Sequence, residues 1–196
     1  TALHDRPLQV VLRQVDGTVG GGTLLASSKA DLTFEVRDVL GARQLELTGL
    51  PRGWWLKSVL IDGEDAFDGH TFPVTGVVEG VVLLVSGRQS GVAGRVQGTG
   101  GLLQGASVLV LPQGQTAAMH SPQANRRIAS VSLDGTFTAD ALRPGRYVAL
   151  ALSPAMRSAY DRLDRDEREA WLAGRGRPVD VVEGRLTEVA LQLVER

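Results

Sequence analysis

The segment DGEDAFDGH brings several carboxylates and one imidazole close together in sequence. Carboxylate oxygens are the ligands that Ca²⁺ prefers, and the candidates are Asp62, Glu64, Asp65 and Asp68. Their spacing does not match that of an EF-hand loop. A polar turn between Ile61 and Phe72 accounts for the same residues, with Gly63 and Gly69 in special backbone conformations. We favour the turn and keep calcium binding as the alternative.

Three aromatic residues are the other binding candidates, and strand parity predicts the orientation of the first of them, Trp55. Adjacent strand residues point to opposite faces. Trp54 and Leu56 share one parity, whereas Trp55 and Lys57 share the other. We therefore expect Trp54 to face the core and Trp55 to be exposed.

An exposed Trp55, with Tyr147 as the outward aromatic of a second unit and Trp171 nearby, could stack on sugar rings or fill a pocket of a protein partner. The alternative is that each aromatic closes the end of its own domain, or that Trp55 fills a contact between domains. We favour the structural alternative. The glycan site stays as the second hypothesis.

Catalytic signatures are missing from the sequence. A zinc carboxypeptidase needs H-x-x-E, but none of His4, His70 and His120 has Glu at that spacing. The G-x-S-x-G motif is absent, and Ser90 lies in the linker-like segment GRQSG. The chain has no Cys, which excludes thiolate chemistry and cysteine zinc sites. We expect no enzymatic activity and no cofactor.

Charge and hydropathy exclude two classes of partner. The formal net charge is −1, from 21 Lys and Arg against 22 Asp and Glu, so the chain lacks the basic excess typical of nucleic-acid binding. The longest apolar runs, such as Val81 to Val85, are strand-sized and predict no membrane insertion. The chain starts at Thr1, and we expect a processed product or an excised part of a longer protein.

An internal repeat organises the chain. Leu45 to Trp55 (LELTGLPRGWW) returns 92 positions later as Phe137 to Tyr147 (FTADALRPGRY). The motif VVEG at Val77 to Gly80 returns 104 positions later, so the second copy has 12 extra residues between its matching blocks. Two similar units predict two domains, which we place at residues 1–88 and 89–196.

Short apolar runs separated by Gly, Pro and Asp-Gly predict an all-β fold. In the first unit the predicted strands are 7–14, 23–26, 32–39, 44–47, 54–61, 71–75 and 81–86. In the second they are 91–97, 106–111, 128–133, 136–139, 147–152, 178–182 and 187–194. Asp134-Gly135 predicts a two-residue hairpin turn. Gly20-Gly21-Gly22 predicts a weakly ordered turn.

The extra residues of the second copy predict a short helical insertion near 158–174. Asp164 and Glu167 have the spacing of a capping pair, Arg168 stands four residues after Asp164, and Gly174 is the predicted C′ residue. Leu163, Ala170 and Trp171 form a narrow apolar stripe. We expect this stripe to pack on a sheet edge or at the domain interface.

Three segments of the second copy carry a resemblance to a known family. They are Val92 to Pro112, Ser132 to Leu152 with its L-x-P-G-x-Y motif, and Pro178 to Val194. Together they resemble carboxypeptidase regulatory-like domains, which are β-sandwiches of the transthyretin-like or prealbumin-like type. The first copy resembles tandem modules of large secreted or envelope proteins of soil bacteria.

The resemblance implies two tandem Ig-like or prealbumin-like β-sandwiches, the second with the helical insertion. It also implies a non-catalytic structural or interaction module of a larger secreted or cell-envelope protein, with a protein or glycan partner. Fold alone does not determine function. The alternative is a carbohydrate-binding module that uses Trp55, Tyr147 and Trp171.

Overall fold

The computed structural model describes residues 3, 7–14, 22–67, 70–72, 77–98, 103–113 and 127–195. Strands predominate, which confirms the all-β expectation. The chain divides into two compact units, the first ending at Gly87 and the second beginning at Arg88. Within the described residues, neither helix has the length and apolar content that a membrane span needs. Gly20 and Gly21 of the predicted weakly ordered turn lie outside the described residues.

The first unit has seven described strands in two sheets. They are β1 (Gln9–Gln14), β2 (Leu24–Ser27), β3 (Gly41–Thr48), β4 (Trp55–Ile61), β5 (Glu64–Asp65), β6 (His70–Phe72) and β7 (Val82–Ser86). One sheet has the order β2-β1-β3-β6, and the other has the order β5-β4-β7. Their core includes Val10, Leu12, Leu45, Val59 and Phe67.

The predicted strand at 32–39 is wrong. Leu32 (φ 66°) and Asp38 (φ 57°) both adopt the left-handed conformation, which interrupts an extended strand. The Asp31 carboxylate accepts hydrogen bonds from the Thr33 backbone N–H at 3.0 Å and from its hydroxyl at 2.7 Å. Short polar side chains that bond the backbone two residues ahead favour turns. Phe34 still packs against the core, which explains the apolar pattern of the segment.

The described residues of the second unit form seven strands and two helices. They are β8 (Ser90–Gln97), β9 (Ser107–Pro112), β10 (Arg127–Ser130), β11 (Thr136–Asp140), β12 (Gly145–Leu152), α1 (Pro154–Arg162), α2 (Arg165–Arg175), β13 (Arg177–Val181) and β14 (Arg185–Val194). Strand pairing follows the path β10-β9-β12-β14-β8-β11, and β13 also pairs with β12. β14 runs parallel to β8, whereas β12 runs antiparallel to β9.

Strand β12 is buried on both faces. Ala149 and Ala151 point into the main core of the unit, which also contains Val108 and Val110 of β9. Leu150 and Leu152 alternate with these alanines and belong to a second cluster on the opposite face. The near-continuous apolar sequence of β12 is therefore that of a strand covered from both sides.

The turn at Asp134-Gly135 is present, but the predicted hairpin is wrong. Gly135 has φ 83°, and the Ser132 N–H donates to the Thr136 carbonyl at 2.8 Å. The flanking strands do not pair with each other, because β10 pairs with β9 and β11 pairs with β8. The turn thus carries the chain between the two ends of the strand path.

The repeat is visible in the backbone as well as in the sequence. Gly49 (φ 83°) and Ala141 (φ 59°) occupy equivalent repeat positions, and both are left-handed. Gly80 (φ 69°) and Gly184 (φ 101°), which close the two VVEG blocks, also both have positive φ. The strand–turn–strand unit of β3 and β4 is thus repeated in β11 and β12, with a left-handed residue at the same position of the turn.

Candidate functional site

The insertion that distinguishes the second copy folds as two helices rather than as one. Ser153 caps α1, and its side chain accepts a hydrogen bond from the Met156 N–H at 3.3 Å. Pro154 follows at the first helical position, where a missing N–H costs nothing. These features start a helix directly after the last residue of β12.

The predicted capping pair at the start of α2 is confirmed. The Glu167 N–H donates to the Asp164 carboxylate at 2.9 Å, and the Asp164 N–H donates to the Glu167 carboxylate at 2.9 Å. This reciprocal pair satisfies two backbone donors that the helix start would otherwise leave unpaired.

The predicted C′ role of Gly174 is wrong. Gly174 lies inside α2, which continues to Arg175, and the cap residue is Gly176 with φ −78°. A Cβ on Gly176 would lie only 2.0 Å from Val148 Cγ1. Gly is therefore needed at this helix end for a close approach to β12, not for a left-handed turn.

The two helices pack on a face of the sheet, not on the sheet edge that was one of the two predicted positions. Tyr160 of α1 is buried together with Leu109, Leu150 and Leu152. Trp171 and Leu172 of α2 are partly buried against the same cluster. A sheet face offers more apolar area to a two-helix insertion than an edge does.

Arg168 of α2 joins the two helices. Its guanidinium donates to the carbonyl oxygens of Tyr160 at 3.3 Å and Asp161 at 2.8 Å, rather than to the carboxylate of Asp164, its predicted partner. Its guanidinium lies 5.6 Å from the centre of the Tyr160 ring. The Arg175 guanidinium lies 4.8 Å from the centre of the Trp171 ring, within cation–π distance.

An open cleft of about 370 Å³ lies beside α2. Its lining consists of Leu163, Glu167, Ala170, Trp171 and Arg175. The predicted apolar stripe of Leu163, Ala170 and Trp171 thus forms the apolar part of the cleft. The carboxylate and the guanidinium supply an acceptor and donors at its margins.

The predicted exposure of Trp55 is wrong, because only 3% of its surface is accessible. A β-bulge between Leu56 and Ser58 breaks the alternation on which the prediction was based. Lys57 is exposed at this bulge, whereas Val59 has the same parity and is fully buried. Trp55 pairs with Ser86, which is buried too. Its role in binding remains a prediction without the exposure that suggested it.

Tyr147 is likewise buried, which corrects its predicted outward orientation. It is 3% exposed and packs in the main core of the second unit. Its hydroxyl donates to the Arg143 carbonyl at 2.7 Å. Burial raises the pKa of the phenol to about 12. A tyrosine that bonds the backbone four residues upstream resembles the tyrosine corner of β-sandwiches.

Arg127 is a structural residue that sequence reasoning missed. Its guanidinium donates to the carbonyls of Asp140 at 3.2 Å and Ala141 at 3.0 Å, and burial lowers its pKa. Ala141 is the left-handed residue of the repeat, so Arg127 holds this turn from a neighbouring strand. The only sequence signal was a non-glycine residue at a position where the first copy has Gly49.

The described part of the acidic loop contains the predicted turn at Gly63, whereas Gly69 lies outside the described residues. Asp62 (φ 52°) and Gly63 (φ 83°) are both left-handed and join β4 to β5 as a two-residue hairpin. The Asp65 carboxylate accepts a hydrogen bond from the Phe67 N–H at 3.0 Å. The described residues contain no group of three side chains placed to bind a metal. Asp68, the remaining candidate ligand, lies outside them.

Comparisons with known proteins include a weak structural likeness. No protein-family model and no curated protein matches the chain. The chain is similar to a solved structure described as the Bacillus anthracis TIE protein, with 14% sequence identity and a TM-score of 0.33. The alignment covers 98% of this chain and 41% of that one. A likeness at this score carries no inference about fold or function.

Proposed function

We propose that this chain is a non-catalytic structural module of a larger secreted or cell-envelope protein. The observation that supports the proposal is that several well-placed polar side chains form hydrogen bonds with the protein's own backbone. Tyr147 and Arg127 bond the carbonyls of one turn, and Asp164 bonds the start of α2. Groups that could otherwise do chemistry here stabilise the protein's own backbone.

We further propose that both units are prealbumin-like β-sandwiches related to carboxypeptidase regulatory-like domains. The bond from the Tyr147 hydroxyl to the Arg143 carbonyl supports this, because such a corner is typical of sandwiches with Greek-key connections. The matching left-handed residues Gly49 and Ala141 support a common origin of the two units.

A ligand screen by thermal unfolding tests the non-catalytic module. Ligands that bind only the folded state raise the melting temperature by mass action. We expect Ca²⁺, nucleotides, soluble glycans and common metabolites to leave the melting temperature unchanged. A saturable increase with a small-molecule substrate, together with its turnover, would contradict the proposal.

The second candidate is carbohydrate binding at the cleft on the helices. It is favoured by Trp171, which lines the cleft beside the carboxylate of Glu167 and the guanidinium of Arg175. The test is a glycan array probed with the wild type and with Trp171→Ala, with circular dichroism to verify folding. This candidate, unlike the non-catalytic module, predicts a glycan signal that Trp171→Ala removes and that Trp54→Ala, in the other unit, retains. Equal signals from all three proteins would reject this candidate.

A further inference from the structure

Strand β7 leaves one edge of its sheet open within the described part of the chain. It is the last strand in the order β5-β4-β7 and pairs only with β4 there. The unpaired edge of a strand presents a row of backbone N–H and C=O groups that can bind another strand. Proteins commonly protect such edges with charged residues, proline or a covering element.

The sequence of β7 lacks the first two of these features, and within the described residues no further strand pairs with its second edge. The segment Val81 to Ser86 reads VVLLVS and contains no charged residue and no proline. The edge strands of the second unit differ, because β10 begins with Arg127 and β11 ends with Asp140. Six residues with high β-propensity and no charge are the kind of segment that readily adds a strand.

The side chains that β7 turns away from the core are apolar and accessible. Val82 is 46% exposed and Leu84 is 42% exposed, whereas Leu83 between them packs against the core. Val82 pairs with the half-buried Leu60 of β4. The open edge and an apolar surface next to it therefore coincide.

The charges at the two ends of the strand favour a second copy of this chain as the occupant. Glu79 precedes β7 and Arg88 follows it, and both are exposed. Two copies of β7 that pair antiparallel place the Glu79 end of one beside the Arg88 end of the other. A parallel pair would place like charges together. Antiparallel pairing also satisfies the twofold symmetry of most homodimers.

We propose that two copies of the chain dimerise by antiparallel pairing of β7 with β7, which joins two three-stranded sheets into one of six strands. The inference goes beyond the proposed structural role, since a monomeric spacer would serve that role equally well. The occupant is recognised by main-chain hydrogen bonds and by contacts of Val82 and Leu84, as in other cases of strand addition.

Sedimentation equilibrium of the wild type and of Leu84→Lys tests the dimer. The substitution places the ammonium groups of the two copies close together on the accessible face of the joined sheet, and their repulsion, with the lost apolar contact, weakens association by roughly 10-fold. The melting temperature of the diluted protein stays the same, because this side chain does not contact the core. The matched control is Leu25→Lys on β2, another uncharged edge strand, which should leave the dimer intact.

Disulfide trapping gives a second readout because the chain has no Cys. Mild oxidation should cross-link one of three samples, depending on the register of the β7 pair: Leu84→Cys, Val82→Cys or an equal mixture of the two. Leu25→Cys should not cross-link. A wild type that stays monomeric throughout the concentration series would overturn the inference and leave the structural-module proposal intact. A dimer that Leu25→Lys disrupts and Leu84→Lys does not would also overturn it.

Discussion

The two units use the same turn but cover their sheets differently. In the repeat, Leu152 of β12 corresponds to Leu60 of β4. Leu152 is completely buried under α1 and α2, whereas Leu60 is only half-buried and pairs with the exposed Val82. The 12 additional residues of the second copy thus bury a face that stays accessible in the first. Duplication preserved the scaffold, and the insertion changed what the scaffold can contact.

The strands that follow the VVEG blocks also differ. β7 runs antiparallel to β4, which contains Trp55. β14 instead pairs in parallel with β8 along eight residues and reaches β12 only at Ala151 and Leu152. The second unit thereby gains a continuous path of strands, and β7 remains an edge strand in the described part of the first.

The largest expected effect tests whether α1 and α2 bury the face of β12 on which they pack. Leu152→Ala removes a fully buried side chain and leaves a cavity, so we expect the free energy of unfolding to fall by about 2–5 kcal/mol. Leu60→Ala, at the equivalent position, should cost less than about 1.5 kcal/mol because this side chain is already partly hydrated. Urea unfolding followed by circular dichroism measures both. Equal losses of unfolding free energy would contradict the conclusion that Leu152 is more completely buried than Leu60.

Alkaline pH should destabilise the second unit through Tyr147. Its folded-state pKa is about 12, above the ordinary value of 10, so the unfolded state loses the phenolic proton first. Stability therefore falls as pH rises from about 10 to about 12, by up to about 3 kcal/mol. Urea unfolding across this range, with Tyr147→Phe as the control, measures the effect. A wild-type slope as shallow as that of Tyr147→Phe would show that the phenol ionises freely in the folded protein.

Substitutions at the two left-handed repeat positions should change the stability in opposite directions. Gly49→Ala places a Cβ 3.3 Å from the Pro7 carbonyl oxygen at φ 83°, and should destabilise the first unit by about 1 kcal/mol or more. Ala141→Gly relieves a left-handed alanine and should be neutral or stabilising by up to about 1 kcal/mol. Thermal unfolding of the two variants measures this. Destabilisation by both would mean that the turns are not equivalent.

The smallest effect concerns an Asp-x-Thr turn that occurs in both units, at positions that are not equivalent in the repeat. Asp31 bonds Thr33 in the first unit, and Asp134 bonds the N–H and the hydroxyl of Thr136 in the second. In both, hydrogen bonds from the threonine side chain lower the carboxyl pKa. The stability each turn contributes is therefore present at neutral pH and lost as pH falls through the lowered pKa. Carboxyl NMR titration should show that Thr33→Val and Thr136→Val each raise the pKa of their own Asp alone.

Sequence patterns located the strands of the second unit and the capping pair at Asp164, because local rules decide both. Short apolar runs bounded by turn residues define strands, and a cap depends on residues three positions apart. The strand predicted at 32–39 did not form, because Leu32 and Asp38 adopt positive φ values that the apolar pattern of the segment does not predict.

The aromatic residues show why the site was harder to predict than the fold. The parity argument for Trp55 assumed a regular strand, and one bulge at Lys57 invalidated it. Tyr147 is buried with its hydroxyl bonded to the Arg143 carbonyl, a contact that strand parity does not reveal. Trp171 lies within the predicted apolar stripe, but the cleft also includes Glu167 and Arg175, which the stripe does not contain.

The central claim is that the second unit covers its own sheet, whereas the first leaves an edge for a partner. Amide hydrogen exchange, measured over a series of protein concentrations, tests this claim most directly. We predict slow exchange in β12 at every concentration. In β7 we predict faster exchange in dilute protein and protection that grows as the concentration rises. Protection of β7 that equals that of β12 and does not depend on concentration would contradict the account.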